Sequence, residues 1–314
     1  MEAGSRIYVA GHRGLVGSAL VRALSARNHN NLIVRARSEL DLEDQAAVHG
    51  FFDKERPEFV FLAAAKVGGI LANSSFPADF IRSNLTIQMN VIEAAYRTGV
   101  KKLMFLGSSC IYPKHSPQPI REEYLLSGLL EPTNEPYAIA KIAGIKMCQA
   151  YAAQYDTNYV SVMPTNLYGP GDNFDLQTSH VLPALIRKFH EAKRAGAADV
   201  SVWGTGNALR EFLYVDDVAE ACLCLMERYS SPEIINIGFG KDVSIADLSR
   251  MIADEVGYAG KIVFDTSKPD GTPRKLLDVS KLFALGWRPK KSLREGIRET
   301  YRWYVEHVAE PRQP

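Results

Sequence analysis

Only four of the 314 residues are cysteine, and Cys110, Cys148, Cys222 and Cys224 show no zinc-ligand spacing. A disulfide scaffold is excluded, no metal site is expected, and reduced thiols in a cytoplasmic setting follow. Charge of one sign is also lacking: 37 basic residues stand against 36 acidic ones, the net charge is +1, and there is no Lys/Arg-rich run. Nucleic acid and membrane surfaces are therefore disfavoured as partners, and a ligand phosphate must be met by individually placed basic side chains. There is no run of about 18 apolar residues, no signal peptide, no internal repeat and no low-complexity linker. The rest is an ordinary globular composition, 46% hydrophobic and 23% charged, long enough for one large domain or two smaller ones.

The chain begins with a short apolar strand, Arg6–Ala10, that runs into Gly11-His12-Arg13-Gly14-Leu15-Val16-Gly17 and then a helical pattern. Strand, glycine turn and helix make a phosphate cradle, because glycines allow close backbone approach and the helix N-terminus offers free N–H donors. A second strand is expected over Asn31–Arg35, followed by Ala36, Arg37 and Ser38. An acid near this strand's end would suit a free ribose 2′-hydroxyl. Arginine suits a 2′-phosphate instead, so NADP(H) is expected over NAD(H), with Arg13 able to reach the same group.

Asp41–Lys54 reads as a helix with Asp41 near its start, and Phe59–Ala65 as an apolar strand buried on both faces. Pro77 opens a long helix that Gly99 closes. A fourth strand, Lys102–Gly107, delivers Ser108, Ser109 and Cys110 at its C-terminal end, where open α/β sheets bind ligands. Helix Pro136–Tyr155 and strand Tyr159–Met163 follow. This is the alternation of a doubly wound parallel sheet of Rossmann type. After a Gly/Pro/Asn/Asp-rich loop, Tyr168–His180, come a helix over Val181–Lys193 and an irregular set of strands and helices. These fit a smaller mixed α/β substrate-binding lobe. The cofactor-binding domain is expected over residues 1–168 plus about 207–238, and the lobe over about 169–206 plus 239–314.

Tyr137 and Lys141 are four apart and share one helix face. A fixed ammonium favours the neighbouring phenolate and makes the tyrosine a proton donor or acceptor near neutral pH. Ser108 can serve the same carbonyl oxygen, and Cys110, two residues on, is a candidate carbon acid–base.

G-x-x-G-x-x-G after the first strand, SSC after the fourth and YxxxK on the next helix resemble the extended short-chain dehydrogenase/reductase superfamily. GHRGLVGSA, FLGSSCIYPK, LEPTNEPYAIAKIAG, MPTNLYGP, REFLYVDD and SKPDGTPRKLLDVSKL are similar to the GDP-L-fucose synthase family within it, from about Arg6 to Tyr304. The resemblance implies an NADPH-dependent oxidoreductase with epimerase activity. Its substrate would be GDP-4-keto-6-deoxy-D-mannose, converted to GDP-L-fucose by 3,5-epimerisation and then reduction of the C4 ketone.

It implies a reductase triad of Ser108, Tyr137 and Lys141 and an epimerising pair of Cys110 and His180, with Cys110 favoured as the base. It assigns Gly11, His12, Arg13, Gly14, Leu15, Val16 and Gly17 to the pyrophosphate, and Arg13 and Arg37, with Asp41 and Leu42 nearby, to the 2′-phosphate end. Ala64, Leu106, Gly107, Ser108 and Ser109 would line the cofactor, as would Tyr137, Lys141, Pro164, Thr165, Asn166, Leu167 and His180. Lys188, Trp203, Arg210 and Asp270 match sugar-nucleotide contacts. A homodimer through a four-helix bundle of Pro77–Thr98 and Pro136–Tyr155 is also implied. The chain departs from the family pattern at Tyr214, often His, and at Asn173-Phe174-Asp175, often NFH.

The pair suits its chemistry. A C4 ketone acidifies the protons at C3 and C5, and thiol and imidazole, with ordinary pKa values of about 8.5 and about 6.5, exchange protons near pH 7 after modest shifts. The alternatives are another nucleotide-sugar epimerase or dehydratase, which needs no Cys/His pair, and a non-catalytic NADP-binding protein, which would not need Tyr137 or Lys141.

Overall fold

The strand β1 (Ile7–Ala10) is buried along its whole length, because it is the second of six parallel strands with helices on both faces. The computed structural model describes residues 1–268 and 270–309. Pro269, within the SKPDGTPRKLLDVSKL segment, and residues 310–314, the end of the expected second lobe, lie outside the described residues.

From β1 the chain forms α1 (Leu15–Ala26), β2 (Leu32–Ile33), α2 (Gln45–Glu55), β3 (Phe59–Leu62), α3 (Ile70–Ser75), α4 (Pro77–Arg97) and β4 (Lys102–Leu106). Then come α5 (Glu135–Tyr155), β5 (Tyr159–Pro164), β6 (Asn166–Tyr168), α6 (Val181–Ala195), β7 (Asp199–Trp203) and β8 (Leu209–Tyr214). The last elements are α7 (Val215–Arg228), β9 (Ile235–Ile237), β10 (Asp242–Ser244), α8 (Ile245–Val256), β11 (Lys261–Asp265), β12 (Arg274–Lys275), α9 (Ser280–Ala284) and α10 (Leu293–Tyr304).

The main sheet has the order β2-β1-β3-β4-β5-β9, every neighbouring pair parallel. Side chains alternate between its faces. Ile7, Val9, Phe61, Met104 and Val160 meet Leu20 and Leu24 of α1 and Val218, Cys222 and Leu225 of α7. Tyr8, Val60 and Phe105 meet Phe52, Val91, Ile92, Ile142 and Ile145 of α2, α4 and α5 on the other face. Each fully buried leucine contributes about 2 kcal/mol of apolar transfer. On α4, Gln88 donates to the Ala140 carbonyl at 2.6 Å and clamps the helix that carries Tyr137 and Lys141.

A second core, with Leu185, Ile186 and Phe189 of α6, Leu248 and Ile252 of α8 and Ile297 of α10, underlies the smaller sheets. In these β8 pairs with β10, β12 and β6, and β11 pairs with β7. Segment 207–238 is therefore shared: β8 lies in the smaller sheet, whereas β9 completes the main one and α7 covers it.

Two local expectations need correction. The second strand is only Leu32–Ile33, since it is the edge strand, has one neighbour, and pairs with β1 only at Ile7 and Tyr8 before the chain turns away. The next helix starts at Gln45, because the Asp44 side chain accepts the Ala47 N–H and caps it. Asp41 instead closes a turn through the Glu43 N–H.

Candidate active site

The order of the main sheet reverses between β1 and β3, and ligands of open α/β sheets bind in the crevice at the C-terminal edge of such a switch. A cavity of about 710 Å³ opens there and extends over β4 and β5 to the smaller lobe. At one end is the glycine turn. Gly11 has φ +85°, and a Cβ on it would lie 2.8 Å from the Ala64 backbone, while a Cβ on Gly17 would lie 2.1 Å from the Gly11 carbonyl oxygen. Only glycine fits both places. The N-terminus of α1 carries no side-chain cap and no acidic residue in its first turn, which leaves its N–H groups to an anion.

The cavity brings together Gly11, Gly14, Leu15, Val16 and Gly17 with Arg37, Asp41, Leu42 and Ala64. It continues along Leu106, Gly107, Ser108, Ser109 and Cys110, past Tyr137, Lys141, Pro164, Thr165, Asn166 and Leu167, to His180. His12 and Arg13 do not line it. Arg37 is bonded to Glu43 at 3.1 Å and Asp41 at 3.4 Å. The Pro164–Leu167 wall is anchored by the Glu211 carbonyl, which accepts from Asn166 at 2.7 Å and Thr165 at 3.3 Å.

Ser108 leaves β4 in extended conformation, and its hydroxyl accepts the Cys110 N–H at 3.2 Å. The same hydroxyl faces the Tyr137 phenol and the Cys110 thiol and acts to lower the pKa of each. The expectation that Lys141 favours a Tyr137 phenolate fails. The Lys141 ammonium donates to the Leu106 carbonyl at 2.8 Å and lies 5.9 Å from the centre of the Tyr137 ring. Burial pushes Lys141 down to about 7. Burial, and then facing Cys110, raise Tyr137 despite Ser108. Tyr137 thus stays a protonated phenol at neutral pH, a donor rather than a base.

Cys110 is tuned the other way. Burial alone would raise its thiol, but the Lys275 ammonium, donating to Sγ at 3.3 Å, with Ser108 and Arg210, brings the net value below the ordinary one. His180 sits at the N-terminus of α6 and makes no side-chain cap bond, so its ring is not spent on the helix. Desolvation within the cavity, and then the Lys275 cation, hold its imidazole below the ordinary histidine value.

His180 is placed by a backbone strap. The Gly69 N–H donates to the Thr178 carbonyl at 2.9 Å, and Asn73 holds the carbonyls of Gly68 and Gly69 at 2.7 and 3.0 Å. Lys275 and Gly69 escaped sequence reasoning because neither stands near the residues it serves. Asp172 escaped it too, a carboxyl on the cavity wall that burial pushes up to about 7.

Lys188, Trp203, Arg210 and Asp270 lie outside the cavity and adjoin one another. Trp203 is 51% exposed, with the ammonium groups of Lys188 and Lys268 at 6.0 and 5.7 Å from its ring centre. Arg210 donates to the Asp270 carbonyl at 3.1 Å, and the Asp270 carboxylate is engaged by the N–H and hydroxyl of Thr205 at 2.7 and 2.8 Å. The departures from the family pattern are accounted for locally. Tyr214 donates to Glu299 at 2.9 Å, and Asn173 and Asp175 close turns within the loop before His180.

Residues 7–238 match the family model described as the NAD dependent epimerase/dehydratase family. The GDP-L-fucose synthase 1 of Arabidopsis thaliana is 61% identical over 304 residues, 97% of this chain and 94% of that protein. The GDP-L-fucose synthase of Escherichia coli K12 is 56% identical over 311 residues, 96% of this chain and 97% of that protein. The crystal structure of a GDP-L-fucose synthetase from Naegleria fowleri bound to NADP superposes with a TM-score of 0.91 at 32% identity, covering 100% of this chain and 98% of that one.

Proposed function

The chain belongs to the NAD dependent epimerase/dehydratase family, and from that membership we propose that it converts GDP-4-keto-6-deoxy-D-mannose to GDP-L-fucose by 3,5-epimerisation and NADPH-dependent reduction at C4. The observation that carries this reading is one cluster of facing groups. Ser108, whose hydroxyl accepts the Cys110 N–H, faces both the Tyr137 phenol and the Cys110 thiol, so a ketone oxygen held by the two hydroxyls puts its neighbouring carbons beside a carbon acid–base.

In this reading Cys110 takes the proton from C3 or C5, and the C–H electron pair passes to the ketone oxygen as an enolate. Ser108 and Tyr137 hold that oxygen, and electrostatic stabilisation of this kind is the largest single contribution in many enzymes. His180 returns a proton on the opposite face. NADPH, when bound, supplies a hydride to C4. The protonated Tyr137 then gives its proton to the same oxygen. The glycine turn, which a Cβ would fill, receives the pyrophosphate, and Arg37 the 2′-phosphate. Lys188, Trp203, Arg210 and Asp270 take the nucleotide end of the sugar substrate.

The test is NADPH oxidation with GDP-4-keto-6-deoxy-D-mannose in D2O, with NMR of the product. GDP-fucose carrying deuterium at C3 and C5 is the expected result. A rhamnose-type product without those deuteriums would leave a plain 4-reductase and remove Cys110 and His180 from their roles.

We propose a cofactor domain of residues 1–168 with about 207–238 and a substrate lobe from the rest, with β6 and β8 of the first set paired into the lobe's sheet. Helices α4 and α5 pack side by side and leave Met89, Tyr96, Ile139 and Tyr155 exposed. We infer a homodimer in which these faces form a four-helix bundle. Sedimentation giving only monomer at micromolar concentration would refute it. No described helix is long and apolar enough to cross a membrane, and the four free thiols suit a cytoplasmic enzyme.

A further inference from the structure

We propose that Lys275 is a positioning residue that holds Cys110 as the thiolate that abstracts the substrate's C–H proton. The proposal rests on the assignment of Cys110 as the base and adds the group that makes it one.

The geometry is specific. Lys275 ends β12, which runs parallel to β8 with Lys275 in register with Arg210. Two cations thus stand side by side facing Cys110 from the smaller sheet, and the Lys275 ammonium is 3.3 Å from Sγ. A thiolate accepts an N–H bond from an ammonium far better than a neutral thiol does, so the bond favours the ionised form. The chain just beyond Lys275 is fixed on both sides. The Leu276 N–H donates to Gln118 at 2.9 Å, the Ile120 N–H donates to the Leu276 carbonyl at 2.7 Å, and the Leu277 N–H donates to Glu211 at 3.0 Å. Among the described residues no carboxylate pairs with Lys275, so its charge is not spent elsewhere.

The other groups facing the thiol are Ser108 and Tyr137. Ser108 supports the thiolate, and Tyr137 is a neutral phenol at the pH concerned. His180 faces the same lysine from α6. The step balances within the site: the C–H bond breaks, an S–H bond forms at Cys110, and the electron pair moves to the ketone oxygen. Lys275 exchanges no proton and stays an ammonium throughout.

The experiment needs no sugar nucleotide. Alkylation of Cys110 in the full-length protein by iodoacetamide is followed against pH, with the modified peptide identified by mass spectrometry and Cys110→Ser as the blank. In the unaltered protein the alkylation midpoint should lie below that of a free thiol, about 8.5. Lys275→Met should move it up by about one unit, so that alkylation at pH 7 slows about tenfold. Lys275→Arg, which keeps a cation and a donor, should restore most of the rate.

A merely structural lysine would not produce that pH shift together with its rescue. Where Lys275→Met does not fold, the unaltered protein still decides, since a midpoint at or above about 8.5 overturns the proposal. An unchanged profile in a folded Lys275→Met overturns it equally. A low midpoint in a protein that puts no deuterium at C3 or C5 would leave the lysine–thiolate pair standing and remove the epimerase reading instead.

Discussion

Arg37 offers the sharpest test of cofactor choice, because the structure shows what its guanidinium must give up. The side chain is 76% exposed and is held by Glu43 at 3.1 Å and Asp41 at 3.4 Å, while Glu43 also takes Arg82 at 3.1 Å. Exposed ion pairs of this kind are worth about 0.2–1 kcal/mol each, so releasing both costs at most about 2 kcal/mol. Charged hydrogen bonds contribute about 1.5–3 kcal/mol each, and guanidinium meets phosphate through two. With both pairs released the balance still favours a 2′-phosphate by about 1–4 kcal/mol, at least about fivefold in affinity. Arg37→Ser should therefore weaken NADPH by that factor and leave NADH within about threefold. Glu43→Gln, which frees Arg82 and leaves Arg37 only Asp41, should tighten NADPH modestly, most at low salt. Titration of both nucleotides by calorimetry at fixed ionic strength measures this. Equal weakening of NADPH and NADH by Arg37→Ser, or of neither, would refute the assignment.

Two other perturbations bear on the site and its frame. A Cβ on Gly69 would lie 2.6 Å from the Ser179 carbonyl oxygen, so Gly69→Ala must displace the residues leading into His180. Deuterium entry at C3 and C5 should fall at least about tenfold while NADPH affinity holds, and unchanged exchange would show that the strap does not place His180. Lys102 is buried and donates to the carbonyls of Leu225, Met226 and Tyr229 at 3.1, 2.6 and 2.6 Å, at the end of α7. Burial lowers its ammonium from 10.5 to about 8, so the unfolded chain keeps that proton to higher pH and the folded protein gains stability as pH rises from about 8 to 10.5. Lys102→Met should cost about 2–4 kcal/mol at pH 7 and flatten that rise, read from urea unfolding at several pH values. A variant as stable as the unaltered chain would contradict it.

What was legible in the sequence was local. The run from Ile7 through Gly17 into α1 announces itself because strand, turn and helix are consecutive, and Tyr137 and Lys141 share a face because one helix carries both. The protonation of Tyr137 is not legible in the sequence, because spacing indicates proximity of a lysine but not that its ammonium donates to the Leu106 carbonyl, nor how deeply the phenol is buried. Asp41 was misplaced at a helix start because Asp44, three residues on, holds the capping position. Lys275 was invisible, since it reaches Cys110 across 165 residues through the pairing of β12 with β8, a short contact with no periodicity of its own.

The position of β9 has a consequence for synthesis. Five strands of the main sheet are complete by Pro164, but the sixth, beside β5, comes from residues 235–237, and its covering helix α7 from 215–228. A nascent chain must therefore carry the open edge Val162–Pro164, and a sheet face covered by α1 without α7, while about 70 further residues are made, the interval from Pro164 to Ile235. The smaller lobe's β6, β7 and α6 emerge within that interval, but its core waits for α8 and α10 and closes last.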